Sequence, residues 1–103
     1  MGIFDSLFDR GPGIPREHKA EVDGLIAELL QIGQKEDFLS EYPGGAYNGD
    51  RRHLRTRNIG RRLDQIGGLD LMQAARNRVR RKLGANMAEH LDYAWVDIGR
   101  WMP

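Results

Sequence analysis

Arg57-Asn-Ile-Gly-Arg-Arg-Leu-Asp-Gln-Ile-Gly-Gly-Leu-Asp-Leu-Met72 is the stretch that decides the fold of this chain. Thr56, Ile59, Leu63 and Ile66 recur at helical spacing and predict a helix from Arg52 to Ile66 with one buried stripe. Gly67-Gly68 then interrupts the pattern, because glycine takes the positive φ of a tight reversal without steric cost. Beyond it, Met72, Ala75, Val79 and Leu83 predict a second helix from Asp70 to Leu83. So short a connection makes the two helices spatial neighbours.

A DNA-binding helix-turn-helix needs a small residue four positions before the turn glycine and an aliphatic one six after. From Gly67 those positions hold Leu63 and Gln73, and from Gly68 they hold Asp64 and Ala74. Neither register fits, so the unit reads as an ordinary αα-hairpin.

Upstream, Val22, Leu25, Ile26 and Leu29 form an amphipathic stripe on a helix predicted to open at Pro15 and stop at Gly33. Downstream, Gly84 ends the hairpin, and Asn86 with Glu89 predicts a capping box. The helix it opens is expected to run from Met87 to Met102 with Met87, Leu91, Ala94, Trp95, Ile98, Trp101 and Met102 inward. Residues 34–50 lack periodicity and read as a long irregular loop between the first and second main helices, anchored by Phe38, Leu39, Tyr42 and Tyr47. The expectation is an all-α, single-domain bundle of about four helices over residues 15–103. An apolar N-terminal arm over residues 1–14 precedes it, set off by Gly11, Pro12, Gly13 and Pro15.

Composition narrows the function classes. A chain of 103 residues, 40% hydrophobic and 30% charged, lies in the globular range. It has no cysteine, which removes disulfides and thiolate metal sites. No apolar run approaches the ~20 residues that span a bilayer. The first eight residues are too short and acidic for a secretory signal, so no membrane partner and a cytoplasmic location are expected.

Charge is distributed unevenly. Residues 1–50 carry ten acids and four bases, while residues 51–103 carry twelve bases and five acids, giving −6 and +7 within a net charge of +1. Such a split attracts an external anion or is neutralised from within. On a helical wheel Arg57 and Arg61 point away from the first stripe of the hairpin, and Arg78 and Arg81 away from the second. Together they are candidate phosphate or nucleic-acid contacts. Two features oppose that reading. No aromatic residue interleaves the arginines between Arg51 and Lys82, and Glu17, Glu21, Asp23 and Glu28 on the first helix offer an internal counterweight. Arg76, close to its buried stripe, requires a partner such as Asp92, Asp97 or a loop carbonyl, and Arg52 is similarly placed.

The glycine-rich loop suggests a second site, Tyr47, Asn48, Arg51, Arg52 and His53, at the start of a helix where free N–H groups favour anions. It has no P-loop order. Ile3, Phe4, Leu7 and Phe8 share one helical face and are candidate docking residues for a partner. No catalytic residue, metal site or cofactor is expected. His18, His53 and His90 lie on separate segments without ligand spacing, and Ser6, Ser40 and Thr56 lack a nucleophile motif. The function expected is a non-enzymatic interaction module for a protein or peptide, with nucleic-acid binding through the Arg face as the alternative.

Overall fold

Three helices, not four, carry the chain in a computed structural model that describes residues 16–35, Phe38 and 46–102, with side chains from Arg51 onward in the last span. A 3₁₀ turn at Arg16–His18 leads into α1, Lys19–Lys35. Helix α2 is Ala46–Leu83 and α3 is Ala85–Ala94. Pro15, the arm and most of residues 36–45 lie outside the described residues.

Helix α2 contains both predicted hairpin helices. A straight helix of its 38 residues would be about 57 Å long at 1.5 Å per residue, yet the molecule's longest extent is 42 Å. The difference is absorbed at one residue. Gly68 has φ 69° and ψ −160°, a region essentially closed to residues with a Cβ, while helix continues on both sides. The corner was correctly placed by the glycine pair, but it consumes one residue rather than a loop. That is why two expected helices form one interrupted element.

Ion pairs fix the topology. Arg62 meets Glu21, and Arg55 meets Glu28. Seven residues forward on α2 thus match seven backward on α1, so α1 is antiparallel to the first arm of α2 (residues 46–67). The second arm (residues 69–83) returns alongside α1, because Gly33 near the end of α1 lies against Leu83. Helix α3 then runs back along the second arm, with Asp92 opposite Arg76.

The core follows the expected stripes. Val22, Ile26, Leu29, Thr56, Ile59, Leu63, Met72, Ala75, Val79, Leu91, Ala94 and Trp95 are fully buried, joined by Phe38 and Leu71. Ile66, Leu83 and Met87 pack at its edge.

Four boundaries differ from expectation. Helix α1 passes Gly33 and ends at Lys35, because Gly33 is buried against Leu83 and Phe38 rather than turning the chain. Helix α2 opens at Ala46, six residues before Arg52, since adding a turn to an established helix gains one hydrogen bond per residue fixed. Helix α3 opens with Gly84, at φ 99°, as its N-cap and no side-chain cap bond, so Asn86 is not the cap. It stops at Ala94 instead of Met102. Positive φ at Asp97 (69°) and Gly99 (53°) bends the chain through successive turns, which bury Trp95, Ile98 and Trp101 but leave Met102 82% exposed.

Candidate functional site

The fold gives the arginines of the expected face different surroundings. Arg57 is half-buried, and its Nη1 donates to the carbonyls of Ala94 at 2.9 Å and Val96 at 2.8 Å. Those oxygens lie where α3 ends and the turns begin, where carbonyls lose their helical donors and cations are favoured. Arg57 is therefore a clamp on the tail, its Nη1 committed to two carbonyls. Arg78 is half-buried as well, while Arg61 and Arg81 are exposed, Arg61 donating to the Asn58 amide oxygen at 2.8 Å. The four thus differ in exposure and in what they touch.

Two other arginines engage the acidic face of α1. Arg55 Nη2 donates to Glu28 at 2.7 Å and Arg62 Nη2 to Glu21 at 2.9 Å, each pair doubled through Nε. These hydrogen bonds, more than the charges themselves, hold both carboxyls below their ordinary pKa and raise both guanidiniums. The internal counterweight is real for Glu21 and Glu28, but its partners are Arg62 and Arg55.

The loop site also changes character. With α2 opening at Ala46, residues 47 and 48 lie within its first turn. Arg51, Arg52 and His53 follow in the second turn, away from the free N–H groups of the terminus. His53 Nδ1 is 3.0 Å from the Phe38 carbonyl, which ties the connection to α2. Arg51 is exposed and Arg52 half-buried; the side chains of Tyr47 and Asn48 lie outside the described residues, as do Ile3, Phe4, Leu7 and Phe8.

What the fold does assemble is a cleft of about 490 Å³ where the second arm of α2, α3 and the tail meet. Leu69, Gln73, Arg76 and Asn77 supply one wall, at helical spacings of four, seven and eight residues. Arg100, Trp101 and Met102 close it from the tail. At its base Arg76 Nε and Nη2 each donate at 3.0 Å to the two oxygens of Asp92, the pairing that the position of Arg76 required. The pair is partly shielded, at 29% and 16% side-chain exposure, and a fork with both bonds made is held more firmly than a lone surface pair. Trp101 Nε1 donates to the Asp92 carbonyl at 3.1 Å, and its ring meets Trp95 edge-on with centroids 5.0 Å apart.

The stripe from Leu69 to Asn77 is legible in the sequence as a mixed polar edge beside the buried Met72–Val79 stripe. Arg100 and Met102 had no such signal, because their place depends on the turns after α3. Among the described residues no cluster of three potential metal ligands occurs, and no helix is long and apolar enough to cross a membrane. Comparisons with protein-family models, curated proteins and solved structures give no match.

Proposed function

We propose that this chain works by binding a protein or peptide segment rather than by catalysis, with the Arg76–Asp92 cleft as the receiving surface. The supporting observation is the cleft's mixed lining. Leu69, Trp101 and the exposed Met102 offer apolar contact beside the hydrogen-bonding groups of Gln73, Asn77 and Arg100. Its volume lies within the few hundred to about a thousand Å³ usual for ligand sites, and that mixture suits a side chain and the backbone that carries it. Selection of displayed peptides against the folded chain tests this, with the selected binders mapped by amide chemical shifts. Shifts centred on Leu69, Gln73, Asn77 and Trp101 are expected; failure to enrich any peptide, or shifts centred elsewhere, overturns the reading.

A nucleic-acid reading has one specific support, the exposed run of Arg80, Arg81 and Lys82 in the last turn of α2. Cations there also complement the helix dipole, and Arg55, Arg57, Arg62 and Arg76 are engaged inside the chain. Anisotropy of labelled DNA and RNA at low salt separates the readings. Saturable binding that weakens steeply with salt and is lost on Arg80→Glu/Arg81→Glu supports nucleic acid.

A further inference from the structure

We infer that the cleft recognises a carboxylate carried on an apolar group, an inference that rests on the peptide-binding reading above and specifies its chemistry. Two guanidiniums, Arg76 and Arg100, line the cleft against one carboxylate, Asp92, leaving one positive charge unbalanced within the lining. Asp92 engages only Nε and Nη2 of Arg76, so Nη1 stands outside that pair. Arg100, from the tail, is exposed and lines the same cleft. The amides of Gln73 and Asn77 add donors that a carboxylate accepts.

The charge balance selects the kind of anion. A carboxylate cancels the single excess charge. A phosphate dianion overshoots it and stands beside Asp92, where like charges repel. Asp92 has a second role, since its two bonds fix the Arg76 fork before any ligand arrives. That removes much of the ordering cost a free arginine would bear on binding. The apolar wall of Leu69, Trp101 and Met102 then receives what the carboxylate is attached to. The carboxylate has two sources in a peptide: the chain terminus, or an acidic side chain.

The probe is an N-acetylated tripeptide ending in phenylalanine, prepared as the free acid, as the C-terminal amide, and as an amide with a glutamate before the phenylalanine. Titrations followed by Trp Nε1–H and Arg Nε–H shifts are expected to show the free acid binding about tenfold more tightly than the plain amide, the worth of one charge-assisted hydrogen bond. Binding of the glutamate peptide at the level of the acid shows that the site takes a carboxylate from either source, and binding at the level of the amide assigns it to chain termini. Arg100→Glu, at an exposed position, is expected to erase the preference for acid, so that acid and amide bind alike. Equal affinity for acid and amide overturns the carboxylate inference and leaves peptide binding standing. Absence of binding by all three, with no peptide selected by display, overturns both. An acid preference that survives Arg100→Glu removes Arg100 from the site and overturns the two-arginine geometry.

Discussion

The first arm of α2 meets α1 on one side and the end of α3 with its tail on the other, and the two contacts are built differently. Toward α1, Ile59 and Leu63 bury a stripe, and Arg55 and Arg62 add paired charges at the rim. Toward the tail the contacts are polar and close. Trp95 Nε1 donates to the Thr56 carbonyl at 2.9 Å, an oxygen the helical ladder also offers to the N–H of Gly60. A Cβ at Gly60 would lie 2.5 Å from that indole nitrogen, so the ring rests on backbone laid bare by a glycine. Arg57 closes the contact from above. Rim charges tolerate error; a ring on bare backbone does not.

Substitutions on the tail side are therefore expected to dominate. Trp95→Ala removes a fully buried ring and is expected to cost about 3–5 kcal/mol in urea or guanidinium unfolding, a large part of a small domain's stability. Gly60→Ala tests the closeness itself. Helix propensity alone would stabilise by about 1 kcal/mol, but overpacking against the indole is expected to reverse the sign, for a net loss of about 1–2 kcal/mol. In a Trp95→Ala background the same substitution should become stabilising. A stabilising effect in the parent chain breaks the comparison.

Arg57→Met removes two hydrogen bonds to carbonyls, and a loss of about 1–2 kcal/mol is expected. Its signature is local: faster amide exchange over Trp95–Trp101, with the α1 amides unaffected. The smallest effect belongs to the rim. In folded protein the Glu21 and Glu28 carboxyls sit below their ordinary pKa of 4.5, held by hydrogen bonds from Arg62 and Arg55. On acidification the unfolded chain takes up their protons first, so their contribution is complete above that pKa and is lost as pH falls through the lowered folded values. Glu21→Gln/Glu28→Gln should barely change stability at neutral pH, since both pairs are solvent-screened, and should flatten its decline below pH 4.5. An undiminished acid decline places its origin in other carboxyls.

Much of this molecule was legible before folding, and the reasons are specific. The stripes of α1 and both arms of α2 read correctly because burial there is apolar and periodic. Arg76 was recognisable as needing a partner because a guanidinium beside a buried stripe is costly alone. The tail contact of Arg57 went unread for the opposite reason. Hydropathy marks the side of a helix that is greasy, and the tail contact is made through a guanidinium, two carbonyls and an absent side chain. Asp64 lies on the same side, its carboxylate within 2.7 Å of where a Cβ on Gly99 would stand.

The sequence by itself determined the all-helical class, the corner at Gly67-Gly68 and the core stripes, because propensity and period act over a few residues and need no partner. Only the tertiary structure decided the rest. It paired Arg55 and Arg62 with carboxylates of α1, turned Arg57 into a clamp, ended α3 at Ala94 and brought Arg100 and Met102 to the cleft. Those outcomes depend on which carbonyls and carboxylates stand within hydrogen-bond reach, and distances between remote residues exist only once the chain has folded.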